Sequence, residues 1–173
     1  MAFLRCMFHI LISIYIDDML LQHTSASVAH RHAKITALLL MCLGWGINWE
    51  KSCFLPKQAV LHLGFVFNTK SMTISCPPDK VSRLQIQCKN AIKTKVITVH
   101  NLERMLGQME SVRPVTPFAA LKYRPLQRQL VKAKLHGRKP SKVIIICPKS
   151  IAALRWWISP LGFASNCTAP LRT

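Results

Sequence analysis

The run HILISIYIDDMLLQ, residues 9–22, fixes the class of structure and locates the chemistry. Ile10, Ile12, Ile14 and Ile16 fall on one side of an alternating pattern, and Leu11, Ser13, Tyr15 and Asp17 on the other. β-Branched residues at period two define a strand. Asp17 and Asp18 interrupt it, since Asp is depleted in strands and favoured in turns. Met19, Leu20 and Leu21 then restore apolar character. The stretch reads as a β-hairpin with two carboxylates at its tip. Carboxylates about 5 Å apart repel by roughly 3 kcal/mol at an effective dielectric near 20. In an apolar frame that repulsion calls for a nearby cation or a retained proton. A divalent metal such as Mg²⁺, which prefers hard oxygen ligands, meets the need. Taken alone, an Asp-Asp pair is an ordinary solvated surface turn; the isoleucine ladder, Tyr15 and the basic chain around it add weight to the metal-holding alternative.

Of 173 residues, 24 are Lys or Arg and only 6 are Asp or Glu, for a net charge of +18. Half the residues are hydrophobic, which excludes a wholly disordered basic tail. Such a charge points to polyanions, nucleic acid ahead of anionic membrane. The seven cysteines, Cys6, Cys42, Cys53, Cys76, Cys88, Cys147 and Cys167, form no CxxC pair. That spacing fits neither a zinc site nor a disulfide scaffold, and suits buried thiols in a reducing compartment. The apolar start is broken by Arg5 and His9 and ends in Asp-Asp. It is too short for a span of roughly 20 apolar residues and lacks a cleavage site. No signal peptide, transmembrane segment or membrane partner is therefore expected, and the expected location is intracellular, in cytoplasm or nucleus.

Thr24 or Ser25 can cap a helix in which Val28, His32, Ile35, Leu39 and Cys42 recur at helical spacing, ended by Gly44 and Gly46. Residues 47–49 suit a short strand, 59–67 a strand with Gly64 inside it, and 72–75 another. Trp45 and Trp49 are expected in the core, and the His30/His32 pair, two apart on a helix, does not share a face for a metal. After Pro77-Pro78 the pattern becomes helical and cationic. Fifteen Lys or Arg stand between Lys80 and Lys142 against Glu103 and Glu110 alone. Val81, Leu84, Cys88 and Ala91 mark one helix, and Val99, Leu102, Leu106, Met109 and Val112 a second with Thr98 as its cap. Residues 121–134 give a third. Such an excess of one sign exceeds an ordinary mixed surface. It suits contacts to nucleic-acid phosphates, which position a duplex without reading its sequence.

Tyr15-Ile16-Asp17-Asp18 resembles the YxDD box of reverse transcriptases. Leu43-Gly44-Trp45-Gly46-Ile47-Asn48-Trp49-Glu50-Lys51-Ser52 resembles a stretch of retroelement polymerases, and Leu61-His62-Leu63-Gly64-Phe65-Val66-Phe67 their primer-grip strand. Residues 102–107 and the helix that follows are similar to the thumb. Tyr123-Arg124-Pro125-Leu126-Gln127 and Leu154-Arg155-Trp156-Trp157 are similar to DIRS-like, tyrosine-recombinase retrotransposon polyproteins, the second at the start of an RNase H-like region. The resemblance covers residues 1–158.

It implies an α+β fold: a partial polymerase palm of β-hairpin, helix and short antiparallel strands over 1–76, then a basic helical thumb over 77–140. The start of an RNase H-like region over 141–158 and an unassigned tail over 159–173 follow. The implied activity is RNA-directed DNA polymerisation by two-metal nucleotidyl transfer. Asp17 and Asp18 would be catalytic and hold Mg²⁺ or Mn²⁺. Tyr15, Ile16, Leu63 and Gly64 would meet substrate and primer; Lys80, Arg83, Lys89, Lys93, Lys95 and Arg104 would meet the nucleic-acid backbone. The implied partners are an RNA/DNA template–primer duplex and, in the complete enzyme, dNTP. The family's third catalytic acid lies on an earlier strand, yet no acid precedes Asp17 here, and none follows Glu110 to serve RNase H chemistry. Metal is therefore expected to be held weakly and the chain to be inactive alone, as a fragment lacking fingers. The alternative is a non-catalytic basic nucleic-acid-binding remnant of a decayed retroelement; a cationic secreted or membrane-associated protein is a third, weaker reading. A palm lacking half its sheet should also expose apolar faces and self-associate.

Overall fold

The structure, a computed structural model, describes residues 2–137, 139–160, 162–163 and 167–171. It is α+β with small antiparallel sheets. The chain divides into two compact units, Met1–Leu63 and Gly64–Thr173.

The first unit runs α1 (Ala2–Phe8), β1 (Leu11–Tyr15), β2 (Asp18–Gln22), α2 (Ala26–Cys42) and β3 (Ala59–His62). β1 and β2 pair antiparallel from Leu11↔Gln22 to Tyr15↔Asp18, which leaves Ile16 and Asp17 as a two-residue turn. The expected isoleucine ladder is divided along its length. Ile10 and Ile12 are buried with Leu4, against Met19, Leu21, Ile35 and Leu39, whereas Ile14 and Ile16 are exposed. The Arg5 guanidinium donates to the Ile12 carbonyl at 2.5 Å and ties α1 to the strand. Ser25 precedes α2, but its hydroxyl bonds Ser27 rather than capping the helix. Gly44, at φ +82°, carries the chain away after α2. Residues 47–49 form no strand. Trp45 and Trp49 are 62% and 57% exposed, so the core expected for them is absent; Trp49 rests on Phe54 with ring centroids 5.3 Å apart. A core of three buried aliphatic residues is too small to take up two indoles.

The strand expected over 59–67 is two strands. Leu63 and Gly64 adopt left-handed backbone, φ +50° and +75°, a pair of signs that belongs to a tight two-residue turn and not to a strand interior. β4 (Phe65–Asn68) follows, and the second unit continues with β5 (Thr73–Ser75), α3 (Pro78–Thr94), β6 (Val96–Thr98), α4 (Val99–Ser111), a 3₁₀ turn over Arg113–Val115, α5 (Ala119–Leu135), β7 (Val143–Ile145), α6 (Pro148–Ile158) and β8 (Thr168–Pro170). β5 lies between β4 and β8, all antiparallel, and β6 pairs with β7.

Pro78 starts α3, where its fixed φ suits the first turn and its missing N–H costs no bond. The Thr98 hydroxyl accepts from the Asn101 N–H at 3.2 Å and caps α4. Apolar stripes then converge on one core containing Leu84, Cys88, Leu102, Met105, Met109, Leu126, Leu154 and Trp157. Gly162 permits the chain to double back over α6, because a Cβ there would strike the Trp156 carbonyl. Phe163 thereby reaches Trp157, centroids 5.0 Å apart.

The two compact units divide at 63/64. β7 pairs with β6, and α6 packs on α3 and α5, so 141–158 shares the core of the helices before it. Of the tail over 159–173, residues 168–170 form an edge strand; 161, 164–166, 172 and 173 lie outside the described residues. Among described residues no helix is long and apolar enough to cross a membrane.

Candidate active site and cationic surface

The hairpin register brings four of the expected site residues to one tip. Tyr15 faces Asp18 across the last strand pair, with Ile16 and Asp17 between them. All four are exposed, Tyr15 at 58% and Ile16 at 78%. The expectation that the carboxylates sit in an apolar frame is corrected here. Both open to solvent, where high dielectric reduces their repulsion to about 1 kcal/mol or less. Their repulsion therefore demands no ion. Their oxygens are hard donors suited to Mg²⁺ or Mn²⁺, but two carboxylates are only part of a ligand set. Among described residues no group of three or more His, Cys, Asp or Glu is placed to share a metal ion. The chain's own donors thus fit such an ion incompletely.

Leu63 and Gly64 form the second candidate locus, the tight turn between β3 and β4. Lys80 Nζ lies 3.7 Å from where a Gly64 Cβ would be. The ammonium also sits over the Phe65 ring, 4.9 Å from its centroid, and donates to the Ser111 carbonyl at 3.4 Å. Phe65 and Ser111 therefore place the Lys80 ammonium beside Gly64, within ordinary contact distance of a Cβ there.

The remaining cations do not make one stripe. At about 100° per residue, Lys80, Arg83, Lys93 and Lys89 span roughly half the circumference of α3, from beside its buried face to the far side. Arg83 is engaged by Asp79 at 2.9 Å, in a pair about 70% exposed. Lys89, Lys93 and Lys95 are exposed; Lys95 ends α3 in left-handed backbone, φ +57°. Arg104, on α4, lines a groove of about 430 Å³ with Gln87, Asn90, Asn101, Ile97 and Val143. Sequence periodicity marks which residues of α3 and α4 are buried but does not show that their polar flanks face each other. Glu110 pairs with Arg113 at 3.1 Å and accepts from the Tyr123 hydroxyl; Glu103 pairs with Lys134 at 2.6 Å. The Lys134 ammonium beside Glu103 holds its carboxyl below the usual range.

In the first unit, His32 is buried edge-on to His23, centroids 5.3 Å apart. Burial, then the charges of His23 and Arg31, lowers its pKa. His30 instead bonds the Phe54 carbonyl at 2.9 Å. Neither imidazole joins a metal group among the described residues.

Charge divides with the fold. The first unit holds five Lys or Arg and three acids; the second holds nineteen and three. Compared with family models, with curated proteins and with solved structures, the chain matches none.

Proposed function

We propose that the chain is part of a reverse transcriptase of the retroelement, DIRS-like type, contributing the Tyr15–Asp18 hairpin of a palm and a cationic helical thumb. The observation that carries this reading is the tip itself: a two-residue turn, Ile16–Asp17, that leaves the consecutive Asp17 and Asp18 exposed, with Tyr15 paired to Asp18. The Leu63-Gly64 turn with Lys80 beside it, and the concentration of positive charge in the second unit, support it. In this role Asp17 and Asp18 hold divalent cations weakly, and Tyr15 and Ile16 flank the primer end. Leu63, Gly64 and Lys80 border the primer backbone, and Lys89, Lys93, Lys95 and Arg104 contact phosphates. With further ligands supplied from outside these residues, a divalent ion held by Asp17 and Asp18 would stabilise charge on oxygens in nucleotidyl transfer. These residues alone provide two carboxylates, so the 173-residue chain does not polymerise; incorporation of labelled dNTP on a primed RNA template would contradict that.

A second reading, a non-catalytic nucleic-acid binder, is favoured by the absence of a three-ligand group among the described residues. Paramagnetic Mn²⁺ separates the two. With primed RNA template and dNTP present, Mn²⁺ is expected to broaden the amide resonances of Tyr15 to Asp18 selectively. The combined Asp17→Asn, Asp18→Asn change should abolish the broadening and leave duplex affinity intact. Broadening that is absent, or indifferent to the double substitution, leaves the binder as the function.

A further inference from the structure

The antiparallel register of β5 and β8 runs Thr73↔Pro170, Ile74↔Ala169, Ser75↔Thr168. One step further it sets Cys76 opposite Cys167, and the Cys76 N–H donates to the Cys167 carbonyl at 3.0 Å. Directly opposed residues project their side chains from the same face of a sheet. A hydrogen-bonded opposed pair has Cα atoms about 5.5 Å apart, inside the span of roughly 4.4–6.8 Å that a disulfide bridges, and Cβ atoms up to about 5.5 Å apart, so closing the bridge draws the Cβ atoms together toward about 4 Å. We infer that Cys76 and Cys167 form an oxidation site, converted by a small-molecule disulfide such as oxidised glutathione into an intramolecular disulfide that latches β8 to β5.

The two thiols are unequal in access. Cys76 is 5% exposed and belongs to the core, whereas Cys167 is half-buried against it. Oxidation therefore enters at Cys167. Its thiolate attacks one sulfur of the reagent, forms a mixed disulfide and releases one thiolate. The Cys76 thiolate then attacks the Cys167 sulfur and releases the second. Two protein thiols are oxidised, the reagent disulfide is reduced to two thiols, and the two protein protons pass to solvent or to the departing thiolates. Burial pushes Cys76 up to about 11, with the Lys80 charge working against the rise and Cys167 adding to it; burial raises Cys167 as well. The thiolate is the attacking species, so the latch closes slowly at neutral pH and faster as pH rises.

The position of the pair gives the link its consequence. Cys76 lies two residues before the start of α3 and Cys167 follows α6, so the link closes a loop that contains α3, α4, α5 and α6. Closing so long a loop removes conformational freedom from the unfolded chain.

The full chain is incubated with oxidised glutathione at neutral and at mildly alkaline pH, digested without reduction, and mapped by mass spectrometry. The expected product is a peptide pair joined through Cys76 and Cys167, lighter by two hydrogens than the separate peptides. It should form faster at the higher pH and be reversed by dithiothreitol. The melting temperature of the second unit should rise by at least about 5 °C, and Cys167→Ser, at the more exposed position, should remove both the link and the rise. Glutathione retained on Cys167 with no link, links spread among the other cysteines, or a rise that survives Cys167→Ser would overturn the assignment.

Discussion

Ile16 carries a β-branched side chain at φ +54° and is 78% exposed. Left-handed backbone costs an L-residue about 1–2 kcal/mol, and an exposed side chain gains little packing to offset it. The conformation is imposed from outside the residue. Pairing Tyr15 with Asp18 leaves two residues to reverse the chain, and the two-residue turns that match strand twist require positive φ at their first central position. Strain of this kind collects at functional sites, where surrounding structure over-determines it. Replacing Ile16 by Gly removes the Cβ conflict but frees the unfolded chain, a net gain of roughly 0.5–1 kcal/mol. The amides of Met19 to Leu21 should accordingly exchange about threefold more slowly with deuterium. Unchanged or faster exchange in Ile16→Gly would mean that the isoleucine side chain packs on the tip in solution and is not strained there.

On the scale of an element, α3 shows how one helix face sets a pH response. Leu84, Cys88 and Ala91 form its buried stripe, and burial pushes the Cys88 thiol up to about 12. Above about pH 9 the unfolded chain loses that proton while the folded chain keeps it, so stability falls with rising pH and levels off beyond about pH 12. Cys76, raised to about 11 by burial, and Tyr123, raised by burial and then by its hydrogen bond to Glu110, act in the same direction. Urea midpoints measured across this window should decline, and Cys88→Ala should make the decline shallower although it lowers stability at neutral pH. An equally steep decline in that variant would locate the titration elsewhere. The same stripe explains why α3 was legible in the sequence: an amphipathic helix states its period locally, as α2, α4 and α5 also do. β8 was not legible, because three residues that include Pro170 carry no period and owe their strand to β5. The turn at Leu63-Gly64 was hidden inside an apolar run, where a glycine reads equally as a bulge. At the tip, the order Tyr15 to Asp18 was legible, but solvation was not: alternation does not reveal that only the inner half of the isoleucine ladder is covered. The groove beside Arg104 needed two helices to meet, which no local pattern encodes.

Across the whole molecule, charge is segregated between the two units while exposed apolar side chains occur on both, and salt acts on the two features in opposite directions. The second unit carries nineteen basic residues against three acids. Its binding to RNA or DNA duplex should weaken steeply as salt rises, because counterion release drives it. The first unit is nearly balanced, with five basic residues and three acids, yet Phe3, Met7, Leu11, Ile14, Trp45 and Trp49 are exposed on it. Apolar exposure on that scale favours self-association, which the net charge of +18 opposes by repulsion between copies. Salt screens this repulsion over a Debye length of about 10 Å at 0.1 M and leaves the apolar attraction in place. Sedimentation velocity at micromolar concentration should therefore show larger species as salt rises, over the same range in which duplex affinity falls. Leu11→Gln combined with Ile14→Gln removes apolar surface from the exposed part of β1 without adding charge and should shift the chain toward monomer. A monomer at every salt concentration would show that the exposed apolar side chains of the first unit are not an association surface. Species that shrink with salt would mean instead that charge, and not apolar contact, holds the copies together.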